Sequence, residues 1–507
     1  MARIVVIGAG LGAMTAAARL AVAGHRVVVY ERGETYGGAV GRVERDGFAF
    51  DTGPGLLQLP AVYRDLFVKT GKEPLEKCVE LSQVEPAVRH VFADGTAADL
   101  PNASRAGVGE ALDTALGAGA GARWSAFMNR AREAWDRTRR PLLEEPLWPN
   151  WEVLADREPY PSVPLKRLLR RERRAVTLSE VGELELGGDP RLIALLEQFA
   201  LAHGLDPRTT PASAAVLPYL EQTFGTWAAR GGMRALARAV YERCVARRVE
   251  FVFGAAVTRI VEKDGRAAGV ELADGTVADA DFVVAGVAPA LLDGMLPGRG
   301  VRAAGDVPAR SGMPSRLTVF LALSGARPEG TPLRTVVHAA DRAEELDCLF
   351  GDGFAMAARP TVTVIRPDDP ASVPNDAHEA VTLTATVPAY RDDLDWASRD
   401  VFALQAENLI THAERAIPDL RDRLLWHEIR TPADIAEATG ADGGAVPAPA
   451  LAAAGGRFLH PSNSTGLPGL FAVGGWAHPG GGLPHAGMSG TLVAGLIVEG
   501  PEFRGSQ

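Results

Sequence analysis

The first 38 residues constrain the fold more than any other stretch. Arg3-Ile-Val-Val-Ile7 is a short apolar run rich in β-branched residues, which reads as a buried strand. It runs directly into Gly8-Ala-Gly10-Leu-Gly12-Ala13. Ala13 to Ala23 reads as a small-residue helix closed by Gly24. Arg26-Val-Val-Val-Tyr30 reads as a second strand, with Glu31 at its end. Strand, glycine turn, helix, strand and an acid about 20 residues beyond the glycines form the βαβ fingerprint of dinucleotide binding. Gly8 permits the tight turn. Gly10 lets the backbone approach a pyrophosphate, whose charge sits at the helix N-terminus. Ala13 takes the third small position, where helix packs on strand. Glu31 can accept both hydroxyls of an adenosine ribose. Leu11, Gly12 and Arg32 complete the expected nucleotide end.

The fingerprint alone leaves NAD and FAD open. Gly37-Gly38 follows Glu31 by six residues, which favours FAD: a second glycine turn passes the same pyrophosphate. Gly38 and Ala39 are therefore expected at the cofactor. Glu31, where a basic residue would be needed, disfavours a 2′-phosphate.

At 507 residues the chain is long enough for two or more sizeable cores. A net charge of −10 gives no support to nucleic-acid binding. Cys78, Cys244 and Cys348 are far apart and match no metal or CxxC spacing, so they read as buried packing residues. The N-terminal apolar run is explained by the βαβ unit, not by a signal peptide. No uncharged window of about 18 residues suggests a membrane span. A cytoplasmic setting is expected.

Further along, Phe48 and Phe50 alternate with small or polar residues before the rigid turn Gly53-Pro54-Gly55. This turn is expected at the flavin ring end, with the leucines beyond it lining a substrate tunnel; an ordinary core loop is the alternative. Val84 to Leu100 reads as a hairpin around Asp94-Gly95, and Ala106 to Trp135 mostly as helix. Leu165 to Arg174 is a basic amphipathic segment, suited either to an anionic membrane surface or to a solvated helix face. Arg234 to Arg248 reads as helix after Gly231-Gly232. A run of short strands follows from Glu250 to Ala280, and Asp281-Phe-Val-Val-Ala285 can return to the parallel sheet around this inserted meander. Leu317 to Leu323, Thr361 to Ile365 and Ala380 to Val387 read as strands of a second region, and Trp396 to Ile417 as a helix. Near the C-terminus a strand enters Gly474-Gly475, crosses a Gly/Pro loop and enters an apolar helix from Ser489 to Val498. Such a helix N-terminus stabilises negative charge on a reduced flavin. His478 and His485 read as acid/base groups or as loop architecture.

These blocks together resemble the phytoene desaturase family, the bacterial type of FAD-dependent carotenoid desaturase. The resemblance is carried by GAGLGA with Glu31 and Gly37-Gly38, by Phe50-Asp-Thr-Gly-Pro54, and by Gly225-Thr-Trp-Ala-Ala-Arg-Gly-Gly-Met233. Phe282-Val-Val-Ala-Gly286 and the stretch from Asn463 through His478-Pro-Gly-Gly-Gly-Leu-Pro484 complete it. It implies an α/β, GR2/monoamine-oxidase-like flavoprotein: a Rossmann FAD-binding domain and an interleaved mixed-sheet substrate domain. The FAD domain is expected from residues 1–80, 225–290 and 455–500, and the substrate and membrane-contact region from 81–224 and 291–454. Further cofactor contacts are expected at Gly53, Pro54, Gly55, Val257, Gly474, Gly475, Gly487 and Met488, and catalytic roles at Trp476, His478 and His485. The sequence departs from the family in having Ala39 where an arginine usually follows the glycine pair, and Ala228-Ala229 where an aromatic-proline is usual.

The function so implied is desaturation of an apolar isoprenoid, with hydride transfer to flavin N5, a substrate taken from the membrane surface and an external electron acceptor of unknown kind. Alternatives are a dehydrogenase or oxidase of a non-carotenoid apolar or amine metabolite, a family saturase or isomerase, or an escort-type prenyl-binding protein. The intact glycine fingerprint argues against the last.

Overall fold

The computed structural model describes residues 1–164, 172–296, 313–351, 356–389 and 399–505. Its N-terminal βαβ unit comprises β1 (Arg3–Ile7), α1 (Leu11–Val22) and β2 (Arg26–Tyr30). Three later segments join the same parallel sheet: β3 (Glu250–Val252), β4 (Phe282–Ala285) and β5 (Leu470–Ala472). The order is β3-β2-β1-β4-β5. Ile4 to Ile7 are almost fully buried, as expected for a strand covered on both faces.

Two expectations need correction here. Glu250–Val252 belongs to the parallel sheet, paired with Val28–Tyr30, and not to the meander. The meander is only Val257–Lys263, Arg266–Leu272 and Val277–Asp279. A three-residue strand carries no sequence mark of its partner; the amides of Glu31 and Ala255 fix the register through Val252 and Glu31 carbonyls at 3.0 and 2.9 Å. Residues 106–135 form two helices, Arg105–Leu116 and Ala120–Arg139, because Gly117 and Gly119 adopt positive φ between them.

The second large sheet has seven strands. Their order is Leu424–Arg430, Ser315–Ser324, His378–Val387, Val362–Ile365, Arg334–Val337, Val88–Val91 and Ala97–Leu100. It thus mixes the expected early hairpin with strands more than 200 residues later. Leu317, Val319, Leu321 and Leu323 point to one face and are fully buried with Leu383, Leu409 and Ile410. Each such side chain contributes roughly 1.5–3 kcal/mol. The alternate residues Arg316 and Thr318 face a cavity.

α2 (Ala61–Gly71), α3 (Met233–Ala246) and α4 (Leu483–Val498) pack around α1. α4 starts six residues before the expected Ser489; Pro484 sits in its first turn, where its missing N–H costs nothing. Cys244 is buried as expected, but Cys78 is exposed and Cys348 only half-buried. The basic segment Leu165–Arg174 lies for the most part outside the described residues.

Candidate functional site: a glycine-lined cleft beside a large cavity

The nucleotide end is built from backbone. Gly8 has φ of +88°, and its amide donates to the Tyr30 carbonyl at 2.8 Å. α1 begins at Leu11 with no side chain capping it, so its first amides are available to an anion. The Gly37 amide donates to the Ala9 carbonyl at 2.8 Å and brings the second glycine turn alongside the first. A Cβ on Gly38 would stand 3.1 Å from the Gly10 Cα.

Gly10 and Gly12 have different duties. A Cβ on Gly10 would meet no protein atom within 4 Å. A Cβ on Gly12 would lie 2.8 Å from the Gly474 Cα and 2.9 Å from the Ala486 carbonyl. Gly12 therefore joins the first turn to the C-terminal loop, and Gly10 leaves space. Gly474 repeats the pattern, with φ of +97° and open space where its Cβ would be. Leu11 and Ala13 bury their side chains in the core, so only their amides face the cleft.

The Glu31 carboxylate accepts from the Ala9 amide at 2.7 Å and the Gly33 amide at 2.8 Å. Four lone-pair sites leave capacity for two ribose hydroxyls. Arg32 instead turns outward and donates to the Glu437 carbonyl. Val257 opens the meander, two residues after Ala255, whose amide holds Glu31.

Two residues that the sequence reading did not single out hold these turns. Asp51 accepts from the amides of Met233 at 2.7 Å and Arg234 at 3.2 Å, closing the N-terminus of α3. Burial raises the Asp51 pKa against those hydrogen bonds. A Cβ on Gly232 would come within 2.5 Å of the same carboxylate, which explains the glycine. Arg234 donates to the Tyr36 and Val40 carbonyls and stacks 4.1 Å above the Tyr36 ring, gripping the Gly37-Gly38 turn. At the other end Asn463 and Ser489 hold the glycine loop: the Asn463 amide donates to the His478 carbonyl and to Ser489 Oγ, which accepts from Gly474.

A cavity of about 740 Å³ adjoins this cleft. Ala39, Gly53, Pro54 and Gly55 line it from the N-terminal side, and Gly481 to His485 from the start of α4. Leu56, Phe199, Leu217, Leu220 and Leu483 supply apolar wall. Leu57 and Leu59 turn away into the core.

The three residues expected to be catalytic separate here. His485 lines the cavity, and burial pushes its pKa down to about 4. His478 is fully buried and is not part of the cavity wall; its Nε2 donates to the Glu145 carbonyl at 3.0 Å. Burial holds its pKa at about 3, so the ring is neutral. Trp476 is half-buried against the largest apolar cluster and is likewise no part of the wall. Gly475 packs on Pro447, with 2.8 Å between Cγ and a would-be Cβ, and Gly487 packs on α2. Met488 is partly buried against the same cluster as Trp476.

A parallel sheet with two glycine turns, an acid at the end of β2 and a closing C-terminal helix define an FAD-binding oxidoreductase. The residues present fit the cofactor: Gly10 and Gly474 leave protein-free space at two places joined by Gly12. Residues 14–498 match the model of the flavin containing amine oxidoreductases, and the chain belongs to that family. It is similar to a 4,4'-diapolycopene oxygenase of Methylomonas sp, 30% identical, with 98% of each chain covered. It is also similar to a hydroxyneurosporene desaturase of Rubrivivax gelatinosus, 29% identical over 98% of this chain and 93% of the relative. An oxidoreductase from Methanosarcina mazei shares the fold, with a TM-score of 0.61, 18% identity, and 97% and 99% of the two chains covered.

Proposed function

We propose that this protein is an FAD-dependent desaturase that removes a hydride and a proton from adjacent carbons of an apolar, carotenoid-like isoprenoid. The observation that carries the reading is the large cavity, apolar along much of its wall and opening onto the glycine turns at Gly53–Gly55 and Gly481–Gly482. Relatives named for oxidation of long polyenes align over nearly the whole chain. Bound FAD supplies the two-electron acceptor. The chain supplies position and exclusion of water, since neighbouring double bonds delocalise the developing cation. The N-terminus of α4 at the cavity edge favours negative charge there. His485 is a neutral ring at neutral pH, able to take a proton only weakly.

The nucleotide contacts of this reading are Gly8, Gly10, Gly12, Glu31 and Gly38, with Gly474 toward the ring end. Peripheral membrane contact belongs to the same reading. Among the described residues no helix is long and apolar enough to cross a membrane. Trp148 and Val153 are 62% and 66% exposed, an apolar surface upstream of the basic segment in sequence.

The test is anaerobic bleaching of the bound flavin by a panel of carotenoids. Stoichiometric bleaching by at least one polyene is expected. Bleaching by amines alone would replace this reading with an amine oxidase.

A further inference from the structure

The cavity floor is not apolar. On paired strands, Arg316 stands opposite Thr386 and Thr318 opposite Thr384, and Thr363 continues the row beside Thr384. All of these line the cavity. A hydrocarbon needs none of them.

Arg316 is the informative member. Its guanidinium donates to the carbonyls of Ser315, at 3.0 Å, and Ala202. Five N–H donors are available, so three remain. Among the described residues no carboxylate forms an ion pair with it, and burial lowers its pKa to about 10. The side chain is only half-buried because its free surface is cavity surface. Arg334, on the same wall, shows the contrast: it pairs with Glu221 at 2.7 Å, and Gln58 donates to the same carboxylate oxygen at 2.8 Å. A partly buried cation with no ion-pair partner is costly unless something else supplies a counter-charge.

His203 and His485 complete the surroundings. His203 lines the cavity, and burial first, then the charge of Arg316, holds its pKa at about 3. Both rings are therefore neutral, and among the described residues no carboxylate pairs with Arg316 beside them.

We propose that the cavity takes an isoprenoid whose end bears a carboxylate, held by the free N–H groups of Arg316 over the threonine floor. This rests on the apolar-substrate reading above and narrows its substrate class. The carboxylate satisfies the guanidinium by charge-assisted hydrogen bonds, and the hydroxyls of Thr318 and Thr384 can donate to its remaining lone pairs. The chain of the substrate then extends along Leu217, Leu220 and Phe199 toward the glycine turns.

The test uses the full-length, FAD-loaded protein and two probes, all-trans-retinoic acid and its methyl ester, with binding read by quenching of intrinsic tryptophan fluorescence. The wild type is expected to bind the acid at least about tenfold more tightly than the ester. Arg316→Gln is expected to abolish that preference while leaving ester affinity and FAD content unchanged, and Arg316→Lys to keep part of it. Equal wild-type affinities, or a preference that survives in Arg316→Gln, would overturn the proposal and leave the apolar-substrate reading standing. Failure of both probes to bind would overturn both. If Arg316→Gln fails to hold FAD, the wild-type ratio and Arg316→Lys still decide.

Discussion

The cofactor cleft and the cavity floor are built by opposite means. The cleft is made of backbone: uncapped helix ends, positive-φ glycines and close main-chain approaches among residues 8–38, with Gly474 brought against Gly12. The floor is made of side chains on strands drawn from residues 315–324, 362–365 and 378–387. A backbone site is specific for a charge and a shape that never change, which suits a cofactor. A side-chain floor can be revised one residue at a time, which suits a substrate.

Titration gives the largest expected effect. His90, His203, His338, His478 and His485 are held neutral by burial, four of them with pKa values of about 3 or 4. Each keeps a folded pKa below the unfolded value near 6.5, so its stability is full above that pH and lost as pH falls. Glu158 and Glu345, raised by burial to about 7, act in the opposite sense and gain stability over the same window. Between pH 6.5 and 5 each histidine loses about 2 kcal/mol and each glutamate returns a similar amount, so the net effect is a loss of several kcal/mol. The urea midpoint of the apoprotein should fall steeply over this range. A flat profile would mean that these histidines are far more hydrated than their packing shows.

The glycines sharpen the comparison within the cleft. Gly12→Val should destabilise the apoprotein by about 3 kcal/mol or more, because its branches press on backbone. Gly10→Val should leave apoprotein stability within about 0.5 kcal/mol, because no protein atom lies within 4 Å of the new Cβ, and reduce FAD affinity at least about 100-fold if the pyrophosphate takes that space as proposed. Thermal melts of apoprotein and flavin absorbance per protein give the two readouts. Equal behaviour of the two variants would erase the distinction between a packing and a binding glycine.

Removing the cap of α3 should cost less. Asp51→Ala leaves two amides without their acceptor and should destabilise by about 1–2 kcal/mol, loosening FAD with it. The smallest effect is expected at His485→Ala, with flavin reduction by substrate slowed no more than about tenfold in single turnover. His478→Ala should affect stability and leave that rate alone. A large rate loss at His478 would put chemistry where the structure puts packing.

Much of the cleft was legible in the sequence because its parts are contiguous. Gly8 to Gly38 carries its own register: the apolar period, the turn and the distance to Glu31 are all local. Asp51 and Arg234 escaped because capping at a distance has no local signature; Asp51 is 182 residues from the amide it accepts. The start of α4 escaped because Gly480 to Pro484 reads as loop, although proline is well tolerated in a first turn. His478 and His485 look alike seven residues apart, yet one ring faces Glu145 and the other the cavity. The Arg316 alternation was visible as polar residues between Leu317, Val319 and Leu321, but nothing local said what the polar face would meet.

The sequence by itself determined a dinucleotide fold, its acid, its two glycine turns and the preference for FAD, since these rest on short-range sterics and hydrogen bonding. Only the tertiary structure decided which glycines pack and which leave room, which histidine reaches the cavity, and that an arginine there lacks a carboxylate. Those are properties of neighbours far apart in the chain. Burial, and the charge balance that burial makes costly, exist only once the sheets and helices have met.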